Sequence, residues 1–416
     1  MIEGTTSHPS GEDVRMRGFS RRTTVEAALA WLDARLETLQ SEPVPLSEAA
    51  GRVLAGNVQS QVDVPGFDRA MMDGYAVVAA DTLGASAYNR LPLEIVGQVL
   101  PGQPLDRAIK KGQAARIMTG APLPEGADAV LPAELTEADG GRVYARGELS
   151  PGKHVGKQGE DISAEAVVLA ASRRLRPQDI GVLSSIGVAQ VEVVRRPRVR
   201  LVVTGDELLP PGSTPRGCQI ADSNSPMLAA LVGRDGGVAV SSGIVPDQPE
   251  AILAAMRDEA DIILVSGGSS VGQEDYAPRL LAQHGELAIH GVAMRPSSPA
   301  GMGQLDGRLV ILLPGNPVSC LCAYDFFAGR AIRALAGRDK DWPHRRVKLP
   351  LSRKLVSVVG RVDYARVKLE GKSVQPLAIS GASVLTSTTR ADGFVIIPAN
   401  SEGQPEGTEV EVLLYD

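Results

Sequence analysis

The sequence is poor in residues on which several functional classes depend. Aromatic residues make up only 3% of the 416-residue chain, so the bases of single-stranded nucleic acid would find few side chains for stacking. Lys and Arg number 43 against 49 Asp and Glu, and the net charge of −6 argues against binding a polyanion over a broad surface. We therefore expect no nucleic-acid partner, although a local pocket for a small anion remains compatible with this composition.

Cysteine and histidine are also scarce. The three cysteines, Cys218, Cys320 and Cys322, form no repeated Cys-x-x-Cys motif. This excludes a disulfide framework, argues against a structural zinc site and suits a reducing cytoplasm. Cys320 and Cys322 are best interpreted as buried, small apolar side chains. The five histidines are scattered, so we expect no chemistry that depends on histidine.

Long apolar runs are missing as well. No run approaches the ~18 residues of a membrane span. Residues 1–22 are polar and broken by proline and glycine, without the apolar core of a signal peptide. These observations predict a cytoplasmic protein that does not bind membranes and that carries a mobile tail at residues 1–22.

The first half of the chain has a pattern that predicts one helix followed by β-structure. Over residues 24–40 the apolar side chains recur at helical spacing, from Val25 through Leu32 to Leu39, behind a capping threonine. Between residues 43 and 194 the apolar runs are short and separated by glycine and proline, which favours one or two β-rich modules.

Strands and helices alternate farther along the chain. The predicted strands cover 198–205, 238–245, 261–268 and 308–315, and helices are predicted near 225–234, from 247, near 276–284 and from 318. This alternation is typical of a doubly wound, mainly parallel α/β domain. After Trp342 the helices are predicted to stop, and the remaining runs indicate a compact all-β module, a small barrel.

We therefore predict a multi-domain chain of class α/β plus β. The expected segments are a linker module at 23–60 and 151–185, a β-rich module at 61–150, an α/β domain at 186–340 and a C-terminal β-barrel at 341–416.

The loops after the predicted parallel strands carry the residues of chemical interest. Ligands of a doubly wound sheet bind outside the carboxyl ends of its strands, so these loops are expected to meet. Loops 266–272 and 315–319 combine glycines with hydroxyls and helix starts, which suits a phosphate or another oxyanion. Glu207, Asp222 and Asp275 would face the same crevice, and they would repel a phosphate unless a hard cation such as Mg²⁺ lay between them.

Each motif has a simpler interpretation when it is taken alone. Gly-Gly-Ser-Ser is more often a turn than a phosphate site, TGDEL (204–208) is equally a strand-to-helix connection, and LPGNP (313–317) is a rigid turn. Their joint occurrence at strand ends of one predicted sheet favours a ligand site. A second cluster, at 65–77, 117–122 and 159–162, is weak when each part is considered alone.

Taken together, these segments resemble the molybdopterin molybdenumtransferase family, which includes the E domain of gephyrin. The resemblance covers about residues 24–416 and follows the family's order of motifs: PGFDRAMMDGYAV, IMTGAPLPEGADAV, GKQGEDI, RRPRVRLVVTGDEL, QIADSNSPML, DIILVSGGSSVGQEDY, LPGNPVSCL and SGASVLTSTTRADGFVIIP. It implies an elongated, four-part subunit that forms a homodimer. It also implies insertion of molybdate into the dithiolene of adenylylated molybdopterin, with release of AMP and formation of molybdenum cofactor.

The resemblance also implies a cofactor, partners and site residues. Mg²⁺ would bind Glu207, Asp222 and Asp275, and these residues would act in catalysis with Asp161 and Arg295. Molybdopterin adenylyltransferase and acceptor molybdoenzymes are the expected protein partners. The residues expected to bind the substrates are Asp68, Asp73, Thr119, Thr204, Gly205, Asp247, Gly267, Gly268, Ser269, Ser270, Ser298, Pro314, Gly315, Asn316, Pro317, Ser319, Arg361, Arg366 and Ser383.

These residues are expected to divide the work. Residues 267–270 would cradle the phosphate, and residues 314–319 would shape the molybdate side. Arg361, Arg366 and Ser383 would supply donors to the oxyanion. Asp68, Asp73 and Thr119 belong to a different module, which in a dimer would face the cleft of the partner subunit.

One position departs from the family pattern. The family usually shows a basic residue followed by Pro-Gly-Lys-Pro, whereas this chain has Arg295-Pro296-Ser297-Ser298-Pro299. Ser298 therefore removes one cation from the expected molybdate pocket, and Arg295 would carry more of the attraction through its planar fork of donors. Two alternatives stay open at this point: an adenylyltransferase for molybdopterin, and a pterin-binding scaffold or carrier without turnover.

Overall fold

The computed structural model describes residues 22–268, 275–378 and 381–415. They fall into two compact units: residues 43–193 form the amino-terminal unit, and the other described residues form the main unit. The predicted mobile tail lies outside the described residues except for Arg22. Residues 22–42 thus pack with the main unit instead of with the linker module, and the finer division into five segments stays a prediction.

A six-stranded sheet organises the α/β part of the main unit. Its strands are β1 Arg198–Thr204, β2 Val238–Val245, β3 Ile262–Ser266, β4 Glu286–His290, β5 Gly301–Leu305 and β6 Arg308–Leu313. Their order across the sheet is β2-β1-β3-β6-β5-β4. The first four strands in this order run parallel, and β5 pairs antiparallel with both of its neighbours, β6 and β4. The predicted doubly wound, mainly parallel domain is confirmed.

Helices cover both faces of this sheet. They are α1 Val25–Asp33, α2 Asn224–Asp235, α3 Pro249–Arg257, α4 Tyr276–His284, α5 Pro317–Ala323 and α6 Gly329–Leu335, with a π-helical turn at Tyr324–Ala328 between the last two. Side chains of α1, α2, α5 and α6 pack on one face and those of α3 and α4 on the other. Strands β1, β3 and β6 are buried along almost their whole length, which explains their continuous apolar character.

The structure corrects the predicted end of α1. Thr24 caps the helix by accepting a hydrogen bond from the Ala27 amide, as the sequence suggests, but the helix ends at Asp33 instead of continuing to residue 40. Beyond it, the Leu39 amide donates to the Leu335 carbonyl oxygen. A tertiary hydrogen bond thus replaces the helical continuation that the apolar spacing favours.

Strands β4 and β5 are elements that the sequence analysis did not identify. The strand β5 was not predicted because it contains two glycines, and glycine within an apolar run usually indicates a turn. The structure shows the opposite role: a Cβ at Gly303 would lie 1.8 Å from the Glu286 carbonyl oxygen, so the close pairing of β5 with β4 requires glycine.

A closed β-barrel follows the α/β part, in agreement with the predicted C-terminal module. Its strands are β7 Arg346–Pro350, β8 Val362–Glu370, β9 Ser373–Ala378, β10 Gly393–Ile397 and β11 Glu409–Leu414. They pair in the order β9-β8-β10-β11-β7, and a bridge from Leu351 to Val374 returns β7 to β9. One helical turn, Thr386–Thr389, corrects the prediction that helices stop after Trp342.

The barrel and the α/β part share structure. The short strand Met294–Arg295, from the loop between β4 and β5, pairs in parallel with the start of β8. Four apolar barrel residues, Val362, Tyr364, Phe394 and Leu413, belong to the same buried cluster as α1, α2 and α5. The two parts of the main unit therefore pack through one continuous core.

The amino-terminal unit is β-rich, as predicted. Its main sheet contains Gly74–Val77, Leu91–Val99, Gln113–Ile117, Ala129–Pro132, Thr136–Asp139 and Arg142–Ala145. Short pairs join Val58–Gln59 with Val167–Leu169 and Arg69–Ala70 with Val155–Gly156. A third pair, Ser41–Pro45 with Gln190–Val194, belongs to this unit at residues 43–45 and 190–193. Helices cover Leu46–Ala49 and Pro177–Ser185, and 3-10 turns cover Ala79–Thr82 and Ala133–Leu135. In the main unit, two further short pairs are Leu208–Leu209 with Ile220–Ala221 and Leu355–Val356 with Gly403–Gln404. Across the described ranges, no helix is long and apolar enough to cross a membrane.

Candidate active site

A cavity of about 750 Å³ opens at the carboxyl ends of the parallel strands, where a doubly wound sheet binds its ligands. We call it the acidic cavity because four carboxylate side chains line it: Glu207, Asp222, Asp247 and Asp275. The other predicted site residues in its wall are Thr204, Gly205, Gly267, Gly268, Pro314, Gly315, Asn316, Pro317 and Ser383. The described wall contains no lysine, arginine or histidine. The structure therefore places Gly267 and Gly268 of the predicted phosphate cradle in one wall with Ser383 and residues 314–317, which the resemblance assigns to the molybdate side.

Hydrogen bonds to the backbone hold two of these carboxylates. One oxygen of Asp222 accepts hydrogen bonds from the amides of Asn224 (2.9 Å) and Ser225 (3.0 Å). Asp222 thus provides an acceptor for two backbone N–H groups in the first turn of α2. Asp247 accepts from the Thr204 hydroxyl and, at 3.2 Å, from the Asp206 amide. The positive end of α2 is consequently neutralised by a carboxylate of the protein itself.

Gly267 shows why glycine follows β3. Its φ is +95°, and a Cβ at this position would lie 2.3 Å from the Thr204 carbonyl oxygen. The turn therefore brings the chain after β3 against the end of β1, as an anion-binding loop requires of its backbone. Ser269 and Ser270, which the sequence predicts to complete this cradle, lie outside the described residues.

Asn224 is a site residue that the sequence analysis missed. Its Nδ2 donates to Ser266 Oγ at 2.9 Å and to the Gly315 carbonyl oxygen at 2.8 Å, so one amide links α2, the end of β3 and the loop after β6. The Oδ1 atom is buried and accepts no hydrogen bond from the described residues. The only sequence signal was its place beside Asp222 in the motif DSN.

The carboxylates do not form a ready-made metal cluster. Among the residues that the structure describes, no three Asp, Glu, His or Cys side chains lie close enough to hold one ion. This differs from the predicted ligand set of Glu207, Asp222 and Asp275. The donor chemistry still suits Mg²⁺, because this ion usually takes one or two protein carboxylates and completes its shell with phosphate oxygens and water.

A second cavity, of about 820 Å³, lies beside the first. We call it the basic cavity because Arg22, Arg295 and Arg361 line it and no Asp or Glu belongs to its described wall. It also contains the predicted residues Ser298 and Ser319. Both cavities share Pro299, Pro314 and Asn316 in their walls. One continuous region of the main unit thus places four carboxylates on one side and three guanidinium groups on the other.

The guanidinium of Arg295 is less available to a ligand than its place in the motif predicts. Its Nε donates to Asp363 Oδ1 at 3.0 Å and its Nη2 donates to Asp363 Oδ2, so one edge of the guanidinium is already paired. The fork that was expected to face an oxyanion faces a fully buried carboxylate instead. The Arg295 side chain is nevertheless 27% exposed and lines the basic cavity.

The serines around Arg295 have different roles. Ser297 is buried and donates its hydroxyl to the Ser319 carbonyl oxygen, which fixes the loop against the start of α5. The Ser298 Oγ is buried without a partner among the described residues. A position where the family usually has lysine is therefore an unpaired hydroxyl in the wall of the basic cavity.

Arg366 does not reach either cavity. It lies on β8 with no exposed surface, and burial lowers the pKa of its guanidinium. Its predicted role as a donor to the oxyanion has no support in the described walls of the two cavities, because this fully buried residue belongs to neither wall.

The remaining predicted residues belong to the amino-terminal unit. Asp73 Oδ1 accepts from the amide (2.7 Å) and hydroxyl (2.8 Å) of Thr119, which lowers the pKa of the Asp73 carboxyl. Asp68 accepts from Lys157 Nζ at 2.6 Å, and this bond lowers its pKa as well. The structure thus joins Asp73 with Thr119, whereas Asp161 is exposed and its amide donates to the Val64 carbonyl oxygen.

Comparisons with known protein families divide the chain into three matches. Residues 23–187 match the MoeA N-terminal region (domain I and II), residues 200–334 match a probable molybdopterin binding domain, and residues 348–415 match the MoeA C-terminal region (domain IV). These regions correspond to the β-rich part, the α/β part and the barrel described above.

Individual proteins match over nearly the whole chain. A molybdopterin molybdenumtransferase 2 of Mycobacterium tuberculosis is 34% identical, with 89% of this chain and 94% of the relative covered. A putative molybdopterin biosynthesis protein of Methanocaldococcus jannaschii is 32% identical over 91% of this chain and 93% of the relative. The crystal structure of a molybdopterin biosynthesis MoeA protein from Pyrococcus horikoshii superposes with a TM-score of 0.82 at 34% identity, covering 95% of this chain and 99% of the other. By its sequence and its fold, the chain belongs to the molybdopterin molybdenumtransferase family of enzymes.

Proposed function

We propose that this enzyme inserts molybdate into the dithiolene of adenylylated molybdopterin and releases AMP. The observation that carries the proposal is the pair of adjoining cavities with opposite charge, which share Pro299, Pro314 and Asn316. Molybdate is a dianion and must approach two thiolates beside a phosphoanhydride. A site that holds the oxyanion among cations and the anhydride near a bound metal lowers this repulsion.

The basic cavity is the proposed molybdate side. Arg361 and Arg295 supply positive charge, and the unpaired Ser298 hydroxyl supplies a donor. Arginine retains its charge at any relevant pH and its N–H groups suit an oxyanion. Ser319 and Ser297 keep this wall in place through their hydrogen bond.

The acidic cavity is the proposed anhydride side. One or two of the carboxylates of Glu207, Asp222 and Asp275 would hold Mg²⁺, which when bound neutralises the charge on the phosphate oxygens. The backbone at Gly267 and Gly268 would approach the phosphate, and Thr204, Gly205 and Asp247 would keep the loop after β1 in position. Pro314, Gly315, Asn316 and Pro317, together with Ser383, would close the wall toward the molybdate side.

The test is AMP release from adenylylated molybdopterin, followed by chromatography, with and without molybdate and Mg²⁺. We expect release to require both ions. Formation of adenylylated pterin from ATP would instead identify an adenylyltransferase, and binding of pterin without turnover would identify a scaffold.

We further propose that the enzyme is a homodimer in which Asp68, Asp73, Thr119 and Asp161 complete the cleft of the partner subunit. Support comes from large apolar side chains exposed near these residues: Phe67 is 44% exposed, Met71 58% and Met118 42%. Sedimentation should show twice the 43.6 kDa mass. Mixed Asp73→Ala and Asp275→Asn subunits, each inactive alone, should regain partial activity, whereas an active monomer would contradict the shared cleft.

The cellular setting follows from the same proposal. Cys218, Cys320 and Cys322 are free thiols, and burial raises the pKa of Cys320 to about 12, so this thiol stays protonated. We propose a cytoplasmic enzyme that receives its pterin from a molybdopterin adenylyltransferase and delivers the cofactor to molybdoenzymes. Pull-down with these proteins would test the transfer.

A further inference from the structure

Asp363 lies directly behind the basic cavity. It is the second residue of β8, has no exposed surface and is absent from the described cavity wall. Its carboxylate nevertheless contacts two of the three arginines of that wall. Nothing in the motif pattern of the sequence singles out this aspartate.

The contacts fix the orientation of the carboxylate. Arg295 Nε donates to Oδ1 at 3.0 Å, and Arg295 Nη2 donates to Oδ2. Ser357 Oγ donates to Oδ2 at 2.6 Å. Arg361 Nε lies 3.6 Å from Oδ1, an ion pair without a hydrogen bond. Asp363 therefore holds Arg295 firmly through two bonds and attracts Arg361 more loosely.

The backbone reinforces this arrangement. Arg295 and Asp363 are register partners in the parallel pairing of Met294–Arg295 with β8, so main chain and side chains bring the same two residues together. A buried carboxylate is stable only when it is paired and hydrogen-bonded, and a bidentate arginine meets both needs. The guanidinium of Arg295 is consequently held in one orientation before any ligand arrives.

We infer that Asp363 is a positioning residue of the molybdate site: it acts through Arg295 and Arg361 by holding their charges at the wall of the basic cavity. This inference rests on the proposed function of that cavity. Asp363 touches no substrate, so its removal is expected to change how much molybdate the enzyme needs more than how fast the saturated enzyme turns over.

The first test compares Asp363→Asn with wild type by two measurements. One is the molybdate dependence of AMP release, and the other is molybdate binding by titration calorimetry. We expect both the half-saturating concentration and the dissociation constant to rise about ten- to a hundredfold, as for a misplaced binding group, with a small change in the saturated rate. Ser357→Ala keeps the ion pair between Arg295 and Asp363. It should raise the half-saturating concentration and the dissociation constant by only a few fold.

A matched control separates positioning from stability. Asp261 forms a similar two-bond pair with Arg195, at 2.9 and 2.7 Å, in the same unit but outside the described walls of both cavities. Asp261→Asn should lower the melting temperature and leave the molybdate dependence unchanged. If Asp363→Asn or Ser357→Ala behaves in the same way, the positioning role is refuted.

The second test is a double-mutant cycle with Arg295→Gln. If Asp363 acts through Arg295, the double variant should bind molybdate no more weakly than the poorer single variant, whereas additive losses would overturn the inference. Molybdate binding distinguishes the insertion reaction from the positioning role of Asp363. If wild type binds molybdate but releases no AMP, the insertion reaction is disproved, and calorimetry of the variants still decides the positioning role. Wild type that does not bind molybdate would refute the positioning role.

Discussion

Asn224 donates a hydrogen bond from Nδ2 to the carbonyl oxygen of Gly315 over 2.8 Å. A carbonyl oxygen can only accept, so this bond fixes which side of the Asn224 amide carries the nitrogen. The second hydrogen of Nδ2 meets Ser266 Oγ at 2.9 Å. The amide therefore joins the start of α2, the end of β3 and the loop after β6 around the acidic cavity, and both of its donors are used within the protein.

Replacing this amide by a carboxylate should be costly. Asn224→Asp would set a carboxylate oxygen against the Gly315 carbonyl, and a buried acceptor without its donor costs about 1–3 kcal/mol, with more for a charged group. We expect lower stability in urea unfolding and slower AMP release. Asn57→Asp is the control, because Asn57 uses Oδ1 as an acceptor from the Ala171 amide and a carboxylate can do the same. Equal losses in both variants would contradict this account.

Asp222→Asn should separate capping from metal binding. Asparagine caps helices as well as aspartate does, so the amides of Asn224 and Ser225 keep their acceptor and the melting temperature should stay near that of wild type. The lost charge should raise the Mg²⁺ concentration for half-maximal AMP release about tenfold or more, since a charged contact contributes about 1.5–3 kcal/mol. Asp139→Asn, at an exposed carboxylate of the amino-terminal unit, should change neither property. An unchanged Mg²⁺ requirement in Asp222→Asn would remove Asp222 from the metal site.

Two adjacent glycines should respond differently to alanine. At Gly267 a Cβ would overlap the Thr204 carbonyl oxygen, so Gly267→Ala should displace the loop and suppress AMP release. At Gly268, with φ +53°, the nearest atom to a Cβ would be Thr204 Cγ2 at 3.5 Å, an ordinary contact. Gly268→Ala should therefore cost only about 1–2 kcal/mol for the left-handed backbone. Thermal unfolding and AMP release are to be measured on both variants, and equal losses would show that the close approach at Gly267 is unimportant.

Ser298→Lys should lower the molybdate requirement. The substitution adds a cation to the basic cavity at a position where the hydroxyl has no described partner. One charge-assisted contact corresponds to about ten- to a hundredfold in half-saturating molybdate. Gln283→Lys adds the same charge on the exposed surface of α4 and should have little effect. If Ser298→Lys and Gln283→Lys lower the half-saturating molybdate concentration equally, the effect comes from net charge and not from a contact in the basic cavity.

Asp33 should make part of the stability dependent on pH. Arg330 forms the main hydrogen bonds to Asp33 and Lys340 a further one, and together they lower the pKa of Asp33 from 3.8 to about 2. A lowered pKa stabilises the fold above the unfolded value of 3.8, and this contribution disappears as the pH falls through about 2. After allowance for partial exposure we expect about 1–2 kcal/mol at pH 7. The free energy of unfolding of Asp33→Asn should be lower than that of wild type at pH 7. Between pH 7 and pH 2.5 it should fall less steeply than that of wild type.

Much of the α/β part could be predicted because its strands are continuously apolar and its helices begin at clear signals. The predicted strand 238–245 and helix 276–284 have the observed bounds. The end of α1 and the strands β4 and β5 could not be predicted, because the Leu39–Leu335 hydrogen bond and the close pairing at Gly303 depend on residues distant in sequence.

The candidate site also contains features that the sequence predicts and features that it does not. Glycines and carboxylates at consecutive strand ends identified the acidic cavity, since these residues carry their chemistry in short motifs. The partners of these residues could not be identified in this way. Asp363 turns the donor edge of Arg295 away from a ligand, Arg366 is fully buried, and Asn224 acts through contacts with Ser266 and Gly315. Each fact depends on a tertiary contact that local spacing does not encode.

The strand Met294–Arg295, which joins the barrel sheet from within the α/β part, has a thermodynamic consequence. Together with the shared apolar residues Tyr364 and Phe394, it prevents the barrel from swinging freely on its connection, so the wall that carries Arg295 and Arg361 is assembled when the chain folds. An incoming oxyanion then loses its own translational freedom but does not have to immobilise two loosely connected bodies. The entropy of ordering this wall is therefore lost during folding and does not reduce the affinity of the proposed site for its oxyanion.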